Sequence, residues 1–142
     1  MMQKVRVGLS ILAAPRALFD IPLNDPELFT DNPLRQQFIR DDPLKLERVT
    51  TSFLMASRRL DRYALAVRKE LQGCPLRVFL AGQDRIIDNA RTKDFVRRLR
   101  WPERSIIEYP DAHHTLEFET QPQPYYSDLV EWLGSEARGA LS

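Results

Sequence analysis

Few residues in this 142-residue chain are equipped for chemistry. His113 and His114 are its only histidines and Cys74 its only cysteine. One cysteine excludes an intramolecular disulfide framework, and with two adjacent histidines it leaves no Cys/His set for a structural zinc site. Acid–base work is what remains. Asp84 stands 30 positions before His114, just behind the run Leu76-Arg77-Val78-Phe79-Leu80-Ala81-Gly82. A carboxylate that reaches an imidazole holds it in one tautomer, so that the other ring nitrogen can take a proton from a nucleophile. The plainer readings are a Gly-x-Asp turn, and a His-His pair that is either a polar spot on the surface or half of an adventitious metal site. Asp111 competes as an imidazole partner from within the same loop, whereas Glu117 and Glu119 read as loop acids.

The choice between Asp84 and Asp111 depends on the elements around them. Leu76 to Ala81 is a short, nearly continuous apolar run closed by Gly82, the pattern of a strand buried in a parallel sheet. Asp88 or Asn89 can cap a helix to about Arg100, with Phe95, Val96 and Leu99 facing inward. Arg104 to Tyr109, centred on Ile106 and Ile107, is a second strand, and Pro110 to Thr120 is the loop that holds both histidines. Tyr126, Leu129, Val130, Trp132 and Leu133 mark a terminal helix that Gly134 is expected to end. The order strand, Asp loop, helix, strand, His loop, helix predicts a right-handed crossover with both loops at one carboxyl edge. Asp84 is therefore the preferred partner of His114. Tyr125, Tyr126 and Trp132 read as packing aromatics and Cys74 as a buried spectator.

The first half has a different texture. Five of the ten prolines fall between residues 15 and 43 (Pro15, Pro22, Pro26, Pro33, Pro43), which predicts an irregular stretch. It also carries Ile21, Leu23, Leu28, Phe29, Leu34, Phe38 and Ile39, too apolar for a solvated linker. Asp42-Pro43 reads as an N-cap and first-turn proline opening a helix through about Leu71, with Gly73 and Pro75 as the stop. Leu46, Val49, Phe53, Leu60, Tyr63 and Val67 form the stripe such a helix buries, and Arg58, Arg59, Arg62, Arg68 and Lys69 its solvated face. A division into a surface-covering segment, 1–73, and a second portion, 74–142, follows.

Composition narrows the partners. Hydrophobic residues at 43% and charged residues at 29% are ordinary globular usage, and a net charge of +1 gives no field that implies nucleic acid or an acidic membrane. No apolar run reaches the length of a membrane span. The run from Val7 to Ala14 follows Lys4 and Arg6 as a secretory leader would, but Pro15-Arg16 and the poor cleavage pattern argue for a packed segment, hence a cytoplasmic protein.

The segment from Cys74-Pro75 to Trp132-Leu133 resembles the C-terminal part of an α/β-hydrolase of the monoacylglycerol lipase, lysophospholipase or serine aminopeptidase type. "CPLRVFLAGQDRIIDN" is similar to that family's strand and Gly-x-Asp acid loop, and "IIEYPDAHHTLEFE" to its strand and Ala-x-His loop with an acidic residue shortly after. The resemblance implies Asp84 as triad acid, His114 as general base, and residues before Pro75 as the cap such enzymes insert between nucleophile and acid. It implies a carboxylic, lipid-like ester as substrate and no cofactor or metal. The chain departs from the family in having no G-x-S-x-G and no HG-rich oxyanion loop. Ser10, in Gly8-Leu9-Ser10-Ile11-Leu12, fails as a nucleophile because Leu12 is too bulky for the strained elbow and Pro15 interrupts the helix behind it. The expectation is a C-terminal portion of a serine hydrolase whose nucleophile lies upstream of Met1, inactive alone and prone to self-association. A non-catalytic α/β interaction module, with Asp84 and His114 as remnants, is the alternative.

Overall fold

The structure is a computed structural model that describes residues 14–21, 23–66, 75–101 and 103–139. Its elements in chain order are β1 (Leu18–Asp20), a 3-10 turn (Pro26–Leu28), α1 (Pro33–Asp41), β2 (Arg48–Thr50), α2 (Thr51–Ala66), β3 (Leu76–Ala81), α3 (Asn89–Arg98), β4 (Arg104–Tyr109), a second 3-10 turn (Leu116–Phe118) and α4 (Gln123–Gly139). Two compact units emerge, Met1–Asn24 with Pro43–Val67, and Asp25–Asp42 with Arg68–Ser142. The boundary expected at 73/74, Ser10, Cys74 and the apolar run before Ala14 lie outside the described residues.

In the first unit β1 and β2 pair antiparallel, with Phe19 opposite Val49. The β-branched run Val49-Thr50-Thr51 suits this ribbon, and Thr50 then caps α2 by accepting the Phe53 N–H at 3.1 Å. Thr51 is 1% exposed, its N–H donating to the Ala17 carbonyl at 3.0 Å. The helix expected from Asp42-Pro43 therefore begins eight residues later, at Thr51 rather than Pro43. Its expected end near Leu71 lies outside the described residues. Of the stripe assigned to its buried face only Val49 is buried, whereas Leu46, Phe53, Leu60 and Tyr63 are exposed and Val67 is not described. Periodicity marked an apolar face correctly as apolar, but this chain leaves those side chains uncovered.

The second unit carries the α/β core. β3 and β4 pair in parallel over their full length, from Leu76 opposite Arg104 to Ala81 opposite Tyr109. A parallel pair needs a crossover, and α3 supplies it, started by Asp88, whose Oδ1 accepts the Arg91 N–H at 3.0 Å. Lys93 on α3 and Glu108 on β4 meet at 2.6 Å, tying the crossover to the strand. Ala81, Ala112 and Leu116 are buried together, with Phe79, Tyr109 and Tyr125 packed against them in stacked and edge-on pairs. Arg77 lays its guanidinium over the Trp132 ring, 5.8 Å from the centroid. Tyr125 and Trp132 of α4 thus pack as expected, whereas Tyr126 is exposed and its ring meets that of Tyr125.

Two boundaries differ from the sequence reading. Pro33–Asp41, within the stretch expected to be irregular, is a helix because Asn32 accepts the Leu34 N–H at 3.1 Å and Pro33 sits in its first turn. Asp42 is its C-cap, with extended backbone, not the N-cap of the next helix. Gly134 does not stop α4, which continues to Gly139, since no proline follows and a lone glycine costs a helix only about 1 kcal/mol.

Gly82 is required sterically. It ends β3, its N–H donates to the Tyr109 carbonyl at 2.7 Å, and a Cβ there would lie 2.6 Å from Pro110 Cα and collide with the Pro110 carbonyl. Gly82→Ala is expected to lower stability by about 1–3 kcal/mol, the scale of forced overpacking, in urea unfolding; an unchanged midpoint contradicts the close approach. Because the described parallel sheet has two strands, each with an open side, we expect concentration-dependent association in sedimentation velocity. A monomer that unfolds in one cooperative step contradicts that expectation.

Candidate active site

Asp84 lies in the turn that follows β3, its N–H reaching back to the Ala81 carbonyl at 3.3 Å. Its side chain is 7% exposed and fully engaged. Oδ1 accepts the N–H groups of Ile86 and Ile87, both at 2.8 Å, and Oδ2 faces His114 Nδ1 at 2.9 Å. Burial works to raise the pKa of this carboxyl group, but the Ile87 N–H, the His114 ring and the Ile86 N–H outweigh it, so the group is held below its ordinary value of 3.8. An ionised Asp84 accepts from His114, which assigns a proton to Nδ1, and in the neutral ring that tautomer carries the lone pair on Nε2. The structure thus brings Asp84 and His114 together across 30 residues.

The two loops are also joined by backbone. Gln83 N–H donates to the Ala112 carbonyl at 2.8 Å, and the Gln83 side-chain amide to the Pro110 carbonyl at 2.8 Å. Asp111, the competing partner, instead lines a neighbouring cavity of about 460 Å³ with Asp31, Tyr109, Glu119 and Tyr125, among others. Asp84 and His114 are not in its wall. Glu117 is exposed in the second 3-10 turn.

Glu119 does more than a solvated loop acid would. Its Oε1 accepts the His113 backbone N–H at 2.7 Å and lies 3.2 Å from His113 Nδ1. With Asp31 these two make the one His/Asp/Glu group among the described residues whose ligand atoms gather within 4.8 Å. Such a set suits a divalent cation by donor type, yet Glu119 is already committed to the loop backbone. His113 thus belongs to a brace and His114 to the acid–base pair. Phe29 is a residue that sequence reasoning passed over: its carbonyl accepts the Thr115 N–H at 2.9 Å, and its ring stands edge-on to His114, centroids 5.7 Å apart. The one available signal was the clustering of proline and asparagine around it, which marks turns without saying what they touch.

The family model for serine aminopeptidase, S33 matches residues 2–121. The chain belongs to that family. Among solved structures, the monoacylglycerol lipase of Paleococcus ferrophilus superposes with a TM-score of 0.75 at 19% identity, over 95% of this chain and 52% of that one. A soluble variant of monoglyceride lipase from Saccharomyces cerevisiae, in complex with a substrate analog, gives 0.72 at 20% identity, over 95% and 49%. This chain therefore spans about half the length of each. Among curated proteins there is no significant match. These matches carry the fold: the S33-family chain is a portion of an α/β-hydrolase, as expected, its parallel strands and crossover helix belonging to that architecture. No helix among the described residues is long and apolar enough to cross a membrane.

Linkage predicts how the Asp84 environment acts on stability. The folded-state pKa lies below the unfolded one, so its contribution is complete above the unfolded value of about 3.9 and is lost as pH falls through the folded value. Urea midpoints between pH 6 and pH 2 should fall in the wild type, and Asp84→Asn should remove part of that acid limb. Identical slopes in the two proteins contradict the assignment.

Proposed function

We propose that this chain is the acid–base portion of a serine hydrolase acting on carboxylic, lipid-like esters, with Asp84 as the acid and His114 as the general base. The observation that carries the proposal is the 2.9 Å contact of His114 Nδ1 with Asp84 Oδ2 at the ends of adjacent parallel strands. A serine hydroxyl is a weak nucleophile near neutral pH, and it needs an imidazole whose tautomer is held by a carboxylate. In that cycle Nε2 of His114 removes the serine proton, returns it to the leaving alcohol, and then activates water against the acyl-enzyme. Asp84 stays ionised and balances the imidazolium. No G-x-S-x-G occurs in the 142 residues, so the nucleophile is supplied from outside them. Support for a greasy substrate comes from the names of the two lipase neighbours and from the apolar side chains that the first half exposes.

A second reading, the non-catalytic interaction module, draws on those same exposed residues, among them Leu34 at 82% and Leu44 at 88%. Activity separates the two. Purified 1–142 should show no His114-dependent hydrolysis of a short-chain aryl ester. Codons upstream of Met1, read in frame, should encode a G-x-S-x-G segment. In that longer product His114→Ala and Asp84→Asn should each lower kcat/KM by about 10³–10⁴. Hydrolysis by 1–142 that His114→Ala abolishes would overturn the missing nucleophile. A stop codon close upstream of Met1 would favour the module.

A further inference from the structure

The backbone on both sides of His114 is held by groups that never touch Asp84. Before it, the His113 N–H is taken by Glu119 at 2.7 Å; after it, the Thr115 N–H is taken by the Phe29 carbonyl at 2.9 Å. Phe29 is followed by Thr30, which is fully buried. The Thr30 hydroxyl donates to the Phe118 carbonyl at 3.0 Å, 88 residues away in sequence, and accepts the Asn32 N–H at 3.1 Å. Its own carbonyl accepts from the Gln36 side-chain amide at 3.0 Å. The Phe118 ring is flanked by Phe38, edge-on at 6.0 Å, and by the Arg35 guanidinium at 5.2 Å. Every polar group of Thr30 named here is thus satisfied, in a site that excludes water. A buried hydroxyl with two partners is held in one orientation, and removing it leaves the Phe118 carbonyl and the Asn32 N–H without that partner.

These contacts form one clamp. The corner at Phe29-Thr30 fixes the loop on the far side of His114, Glu119 fixes it on the near side, and the Phe29 ring bounds the space into which the imidazole could swing. A histidine 29% exposed at its side chain and joined to its acid by one hydrogen bond keeps that geometry when its loop holds Cα and Cβ in place and a neighbouring ring limits rotation about χ1 and χ2. We infer that Thr30 and Phe29 are positioning residues for His114, setting the ring orientation in which Nδ1 faces Asp84. The inference rests on the proposed acid–base role of that pair. It assigns to the segment Asp25–Asp42 a task in the catalytic geometry beyond covering apolar surface. Neither residue is a proton donor or acceptor in the reaction.

The test reads the histidine itself, because 1–142 is expected to lack turnover. With two histidines in the chain, ring-labelled protein gives two sets of imidazole signals, and His114→Gln assigns them by loss. The wild type should show a downfield, slowly exchanging Nδ1–H for His114. Thr30→Val, nearly isosteric but without the hydroxyl, should speed that exchange by about tenfold, the scale of one lost hydrogen bond. Thr30→Ser should restore it. Phe29→Leu keeps the carbonyl and most of the apolar volume; it should shift the His114 ring signals and leave those of His113 in place, providing the measurement should Thr30→Val fail to fold. Asp84→Asn is the reference that removes the slow proton whatever the clamp does. If Asp84→Asn has no effect, the proposed acid–base pair is wrong. If Asp84→Asn removes the signal while folded Thr30→Val and Phe29→Leu both match the wild type, the pair stands and the clamp is overturned.

Discussion

The parallel ladder between β3 and β4 is the constraint on which the core unit rests. Parallel strands cannot be joined by a tight turn, so the chain must leave β3, cross as a helix and re-enter beside it, and both strands then deliver their loops at the same edge. The register ends with Ala81 opposite Tyr109, and from that pair on the two loops are built against one another. Gly82 lies too close to Pro110 for any side chain, and Gln83 bonds to Ala112. Asp84 is the next residue. Its distance from His114 follows from a ladder register and one glycine, and side-chain contact completes what the backbone has prepared.

The electrostatics divide between the partners. The carboxylate is nearly buried, which by itself opposes ionisation; two backbone N–H groups and the imidazole supply more than enough compensation. A buried acid with fixed donors stays charged and stays put. The histidine is less covered, which suits the general-base role proposed for it, and the backbone on either side of it is held instead by Glu119 and Phe29. Immobility is placed in the acid and in the loop, and reach in the ring.

This portion of an α/β-hydrolase has two parallel strands among its described residues, and there the buried apolar residues are few beside the large exposed ones. Beside two matched lipase structures about twice as long, that balance is physically consistent: apolar area follows local patterning, whereas its burial needs neighbours that local patterning cannot supply. The exposed stripe of α2 is the clearest instance.

Much of the second unit was legible in the residues. A continuous apolar run closed by glycine, an aspartate cap, a β-branched strand and a terminal amphipathic helix each carry their own local signal, so β3, α3 and β4 fall where expected, α4 holds the residues expected to mark it, and the topology alone places Asp84 near His114. Local signals misled where two sites sent the same one. Asp42-Pro43 read as a helix start and is a helix end, whereas Asn32-Pro33, in the stretch expected to be irregular, is the cap, because Val49, Thr50 and Thr51 go into a ribbon and cap that delays α2. Gly134 read as a stop, and the helix-compatible residues after it carry α4 onward. Phe29 and Thr30 carried no signal of what they touch. The loop groups they bond, at Thr115 and Phe118, stand more than 80 residues away, and a hydrogen bond between a threonine and a distant carbonyl leaves no trace in spacing or periodicity. The sequence by itself determined which groups could act as acid and base and which strands would present them; the tertiary structure alone decided what holds them still, since that depends on contacts between segments that no local rule connects.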